Sequence, residues 1–171
     1  MATLYFRKPF IIFSSRKAKV TDESDRLQYY CGKYYDSRQE LLKLARVENV
    51  RLFDKQNNVL ADAKQVEQAR DKWKIVYGEH QEQVATMTNT STMNTNMRLT
   101  IRYNGNEAVM KSDTGRKTFV LEAQGNVLAT MKIQGLSLTH HEVTYDPAAL
   151  DMAEELLVAA CYTFSLKQVR P

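Results

Sequence analysis

The residues of this sequence that could do chemistry are its three histidines, its two cysteines and its grouped cations. His140-His141-Glu142 is the densest set of potential metal ligands or acid–base groups, and His80 is the remaining histidine. On a strand, neighbouring residues face opposite sides, so at most one of the two adjacent histidines and a residue two positions away could share a site. A zinc site needs three or four converging ligands, and the pair therefore reads as part of a loop or strand-end surface. Cys31 and Cys161 have no histidine near them in sequence. Gly-x-Ser-x-Gly, phosphate-cradling glycine loops and dinucleotide fingerprints are absent. These patterns predict no catalytic site, no metal and no cofactor, and they make an enzyme assembled from distant strands the third of three readings.

The cations offer a different chemistry, attraction to an anionic partner. Arg7, Lys8, Arg16, Lys17 and Lys19 fall within residues 1–20, a stretch without an acid, and Lys111, Arg116 and Lys117 surround a turn later in the chain. The net charge of +4 permits an anionic partner without demanding one. Beside an anionic leaflet each Lys or Arg contributes roughly 1 kcal/mol, so five on one face would give about 5 kcal/mol, a weak, sub-millimolar attraction. Strand alternation means that the five need not converge, and solvated surface charge is the competing reading. Tyr5, Phe6, Phe10 and Phe13 lie among these cations and could stack bases. Phe10-Ile11-Ile12-Phe13 reads more naturally as a buried strand, which argues against nucleic acid. Trp73 and the Tyr29-Tyr30 and Tyr34-Tyr35 pairs are expected to pack one ring inward and one outward, with hydroxyls reaching partners.

What must position these residues is strand-rich. Hydrophobic residues are 43% of the 171 and charged residues 26%, the balance of one globular domain. The two cysteines are expected as buried thiols. No basic segment followed by an apolar run and a cleavage site opens the chain, so the expectation is a cytoplasmic protein, peripheral at a membrane if the cations act there. Ala18-Lys19-Val20-Thr21, Leu27 to Tyr35, Val50-Arg51-Leu52-Phe53, Val59-Leu60-Ala61 and Trp73 to Tyr77 read as strands. Met97 to Tyr103 alternates and meets Asn104-Gly105, a strong hairpin signal. Further turns are expected at Asp113-Thr114-Gly115 and Gln124-Gly125-Asn126. Gln39 to Arg46 and Ala61 to Lys72 fit helices or polar-faced strands equally. Thr86 to Asn96 suits an exposed loop or an edge strand.

The exception is the C-terminal stretch. Tyr145-Asp146-Pro147 predicts a capped helix start, and Leu156 to Tyr162 has no polar face. A helix that is apolar all round must be enclosed. Residues 147–166 would span roughly 30 Å, but Asp151, Glu154 and Glu155 interrupt the run and each costs about 2.5–3.5 kcal/mol at a bilayer centre. A buried core helix is therefore expected, its acidic end protruding and Lys167 and Arg170 complementing the dipole at its other end.

Arg51 to Ala61 echoes Phe119 to Ala129: strand, polar turn, then Asn-Val-Leu-Ala in both. Such hairpins, followed by a turn and Asp146-Pro147-x-x-x-Asp151 leading into an apolar terminal helix, resemble the tubby C-terminal-like superfamily, which includes the LURP-one-related proteins and the phospholipid scramblases. The resemblance runs from about Tyr5 to Leu166. It implies a single domain over 1–171, mainly β: a closed antiparallel barrel of about twelve strands around a hydrophobic C-terminal helix. It also implies a non-enzymatic binding or scaffold role. Tubby proteins bind phosphoinositide through basic residues on the barrel surface, but no defined Lys/Arg pair here aligns with that site. A proline-rich extension and an acylated cysteine cluster, as in scramblases, are missing. Anionic phospholipid is thus the first expected partner, and a protein partner at a sheet edge or at the Thr/Asn-rich loop the second.

Overall fold

The computed structural model describes residues 1–9, 14–38, 40, 48–66, 69–91, 97–112, 117–135 and 139–167. Its strands are β1 (Ala2–Arg7), β2 (Ala18–Asp22), β3 (Leu27–Tyr34), β4 (Asn49–Phe53), β5 (Val59–Val66) and β6 (Ala69–Tyr77), then β7 (Gln83–Asn89), β8 (Arg98–Tyr103), β9 (Asn106–Ser112), β10 (Thr118–Ala123), β11 (Asn126–Gln134) and β12 (His140–Tyr145). Each pairs antiparallel with its neighbour in sequence, and β1 pairs with β12 to close a barrel. A closed barrel has no unpaired edge, which removes the edge docking expected for Thr86 to Asn96. Thr86 to Asn89 instead belong to β7, between β6 and β8, and residues 92–96 lie outside the described residues. So do the apolar run 10–13, most of Gln39 to Arg46, and Asp113-Thr114-Gly115. Ala61 to Val66 and Ala69 to Lys72 are strand, because pairing on both sides outweighs their helical composition.

Alternation sends one face of every strand inward. Leu4 and Phe6 of β1, Trp73, Ile75 and Tyr77 of β6, and Leu99, Ile101 and Tyr103 of β8 are all buried. Asn104-Gly105 and Gln124-Gly125 form two-residue turns with positive φ throughout, the geometry that matches strand twist. The sequence echo is structural. Leu52 pairs with Ala61 and Leu121 with Ala129, and in both hairpins the register then shifts past Leu60 or Leu128, a β-bulge at the same point. The β4–β5 turn is fixed by Asp54, whose carboxylate accepts the Asn58 backbone N–H at 2.7 Å and its side-chain amide at 2.8 Å.

The interior is occupied by α1 (Glu154–Lys167). Leu156 to Leu166 is buried without interruption, so the enclosure read from its composition is present. The helix runs closest to β4 and β5, where Ala61 and Ala63 are small enough to admit it. Across the barrel larger side chains fill the gap: Phe119 meets Phe164 edge-on at 4.9 Å, and Phe6 meets Tyr162 at 5.5 Å. Two hydroxyls in the buried turns bond back to helix carbonyls, Thr163 to Ala159 at 2.8 Å and Ser165 to Tyr162 at 2.7 Å, which leaves neither unsatisfied. Among the described residues no helix is long and apolar enough to cross a membrane.

The helix begins later than its capping signal predicts. Asp146 does not cap α1. Its side chain accepts the Ala148 N–H at 3.0 Å and its carbonyl accepts those of Ala149 and Leu150, closing a separate turn. The chain then buries Met152, and α1 starts where the Ala153 carbonyl accepts the N–H groups of Leu156 and Leu157. The later start favours the electrostatics, since Glu154 and Glu155 occupy the first turn, where acids favour the helix dipole.

Candidate functional site

The two ends of the barrel differ in charge. The end at which α1 starts holds the β2–β3, β4–β5, β6–β7, β8–β9 and β10–β11 turns and the β12–α1 connection. Glu23 and Asp25, then Asp54, then Glu79 and Glu82, lie within the first three of these, and Asp146 and Asp151 within the last. Glu107 and Glu122 flank the remaining two. Against them stand Arg26, Lys55 and Arg102.

This acidic end is also where α1 is fastened. Tyr29 of β3 donates to Glu154 at 2.6 Å, Tyr145 of β12 donates to the same carboxylate at 2.5 Å, and Tyr103 of β8 donates to Asp151 at 2.6 Å. Burial, then the bond to the carboxylate, raises the pKa of all three phenols, so they remain donors at neutral pH. Rather than protruding, Glu154 is half-buried and bridges two strands. A hydrogen bond to a charged group contributes about 1.5–3 kcal/mol. Converting Tyr29 and Tyr145 together to Phe should therefore lower the urea-unfolding free energy by about 3–6 kcal/mol. An unchanged midpoint would show that these bonds do not hold the helix.

At the opposite end the predicted cations separate. Lys8 is 3% exposed: it keeps step with Leu4 and Phe6, and its ammonium turns inward to donate to the Ser165 carbonyl at 2.5 Å. It therefore caps the last turn of α1 and is withdrawn from any surface. Burial pushes its pKa down to about 8, while the carbonyl and the negative end of the helix dipole favour its charge. Lys17 lies on the outer wall, 3.6 Å above the Phe53 ring and bonded to Asn57. Its segment crosses β3 at Gly32, where an added Cβ would stand 3.4 Å from Lys17. Arg16 is exposed beside it. Phe6 pairs with Val20, so Arg7 and Lys19, one position further along their strands, stand side by side on the outer surface.

Arg7 also faces His140 of β12, which faces Gln134 of β11. Lys132 of β11 faces Thr118 of β10, Lys117 precedes that residue, and Lys111 of β9 faces Arg98 of β8. An arc of rim from β1 through β12 to β8 thus carries Arg7, Lys132, Lys117, Lys111 and Arg98. At about 4.8 Å per strand, Arg7 and Lys117 are roughly 14 Å apart. Of the arc's cations, Lys111 reaches Glu122 at 2.7 Å and Lys132 stands opposite Glu142. Arg7, Lys117 and Arg98 are exposed and form no ion pair among the described residues. The two separate basic groups of the sequence therefore share one rim, apart from Lys8, Lys17 and Arg16, and apart from Arg116, which lies outside the described residues. Arg98 was missed by sequence reasoning. Its signal was available, because a two-residue turn at Asn104-Gly105 sets Arg98 opposite Lys111.

The remaining chemistry is structural. His140 faces out and His141 faces in, as alternation requires, but His141 is 2% exposed and not a surface residue. Its ring stacks on Phe6 at 4.8 Å, and Nδ1 lies 3.0 Å from the Thr139 carbonyl. Its Nε2 has no partner among the described residues. Cys31 and Cys161 are buried free thiols, and no group of three or more potential metal ligands occurs among the described residues. Trp73 is buried, with its indole N–H donating to the Glu48 carbonyl at 3.1 Å. A shallow groove of about 450 Å³ lies on the outer wall between Asp62, Lys64 and Lys74, outside the ring-lined interior.

A twelve-stranded up-and-down barrel threaded by its C-terminal helix defines the class of fold. The chain belongs to the Tubby C-terminal like domain family, whose model it matches over residues 4–168. The fold is similar to the X-ray structure of the Arabidopsis thaliana protein AT5G01750, with a TM-score of 0.63 and 12% sequence identity over 99% of this chain and 91% of that one. No curated protein matches the sequence significantly.

Proposed function

We propose that this chain is a non-enzymatic binding or scaffold module that attaches weakly to anionic phospholipid surfaces through the rim cations Arg7, Lys117 and Arg98, supported by Lys111. The observation that carries this reading is that these cations, from distant parts of the sequence, share one rim, and that three of them have no ion-pair partner among the described residues. The family, known for binding phosphoinositides or serving as a scaffold, supports it.

At roughly 1 kcal/mol per cation, three contribute about 3 kcal/mol, enough for salt-sensitive recruitment but not for tight binding. The protein is expected to float with phosphatidylcholine vesicles only when they contain phosphatidylserine or a phosphoinositide, and to be released as salt rises. Arg7→Glu, Arg98→Glu and Lys117→Glu combined should abolish flotation, while circular dichroism stays unchanged. Flotation that ignores lipid charge, or none at low salt, would reject the reading.

A further inference from the structure

Beyond which residues touch lipid, the charge pattern along the barrel specifies how the molecule stands on it. We infer that the barrel docks end-on, with its axis along the membrane normal, the rim carrying Arg7, Lys117 and Arg98 against the anionic surface and the acidic end facing away. This rests on the lipid reading above.

The geometry comes from three features. First, acids occupy the connections at the far end, among them Glu23, Asp25, Glu82 and Asp146, so approach by that end is repelled. Second, much of the side wall is neutralised in place. Arg51 pairs with Asp62 at 2.9 Å, and Lys64 with Asp36, an acid of the β3–β4 connection at the basic end that is thereby neutralised. Lys74 is exposed on the wall opposite Lys64, and Lys19 stands at the basic rim beside Arg7. Third, the charges are far enough apart to act separately. The nine residues of β11 run from Asn126 at the acidic end to Gln134 at the basic rim, about 27 Å at 3.4 Å per residue. The Debye length near physiological salt is about 8 Å. With the rim at the membrane, the acidic end is therefore screened from it. A barrel lying on its side would bring both ends within reach of the surface and lose that advantage.

The two ends of β11 supply the test. Both are exposed, and the native thiols are buried, so cysteines introduced as Asn126→Cys and Gln134→Cys can be labelled singly with an environment-sensitive fluorophore. With phosphatidylcholine–phosphatidylserine vesicles carrying a nitroxide headgroup quencher, the probe at 134 should be quenched several-fold more than the probe at 126. Neutralising Glu23, Asp25 and Asp146 to their amides should leave affinity within about threefold, because those charges lie beyond the screening distance, but should raise quenching at 126. Lys74→Glu should change neither signal. Equal quenching at both positions, or stronger quenching at 126, would overturn end-on docking while leaving lipid binding intact. Loss of phosphatidylserine-dependent flotation altogether would remove both readings. Salt-sensitive self-association without vesicles, abolished by altering either end alone, would show that the two ends serve each other and would also overturn the inference.

Discussion

Leu157→Asp should abolish cooperative unfolding, leaving a chain with little near-ultraviolet circular dichroism and exposed apolar surface at neutral pH. Leu157 is 0% exposed at the centre of the barrel. Losing its burial costs about 1.5–3 kcal/mol, and an unpaired carboxylate in the same place costs several more, whether it stays charged or takes up a proton. Against a typical domain stability of 5–15 kcal/mol the sum is decisive. It also cannot be relieved by local rearrangement, because Leu156, Val158, Cys161 and Phe164 are enclosed around the same helix. Truncation before Leu156 should act in the same way, by removing the surface against which the inward faces pack. Val127→Asp, at a position 58% exposed, provides the control and should melt like the parent. A truncated chain that retained the parent's cooperative melt would mean that the barrel stands without its helix.

The second large effect is in acid. Burial, reinforced by the nearby Lys8 ammonium, pushes the His141 pKa from 6.5 down to about 3. Unfolding releases the ring to water, where it takes up a proton below about pH 6.5. Between the two values the unfolded chain binds more protons, so stability rises with pH in that window. The contribution of neutral His141 is complete above about pH 6.5 and lost progressively toward pH 3, at about 1.4 kcal/mol per pH unit and on the order of 5 kcal/mol in all. His141→Phe keeps the stack on Phe6. The Thr139 carbonyl retains a donor in the Lys8 backbone N–H, at 3.0 Å. Urea midpoints for the variant should match the parent within about 1 kcal/mol at pH 7 and fall less steeply below pH 6. Parallel acid limbs would show that the carboxylates alone account for acid unfolding.

These residues also show where sequence reasoning reaches and where it stops. Hairpins with local chemistry were legible: Asn104-Gly105 requires positive φ at both positions, and the Asp54–Asn58 pairing is contained within a single turn. The apolar circumference of Leu156 to Tyr162 was legible because only enclosure satisfies it. The start of α1 was not, since Asp146-Pro147 is as good an opening for a separate turn as for a helix, and the choice depends on Met152 and Tyr103 reaching their places. His141 was misplaced because its neighbours His140 and Glu142 are polar, although it shares parity with Val143 and Tyr145. Lys8 likewise shares parity with Leu4 and Phe6, and what draws it inward, the Ser165 carbonyl, lies 157 residues away. The rim could be read only in part, because convergence of Arg7 with Lys117 requires β1 to meet β12.

That seam has a consequence for how the molecule comes into being. Every other pairing joins strands adjacent in sequence, and such contacts need close only short loops. Ala2 pairing with Tyr145 joins the beginning of the chain to a point just before its final helix. Because α1 fills the interior, the inward faces of the strands find their packing surface only when the helix is in place. A barrel closed before Leu156 to Leu166 had settled against β4 and β5 would have to reopen to admit them. Until that seam closes, β1 and β12 are unpaired edges open to pairing with other chains.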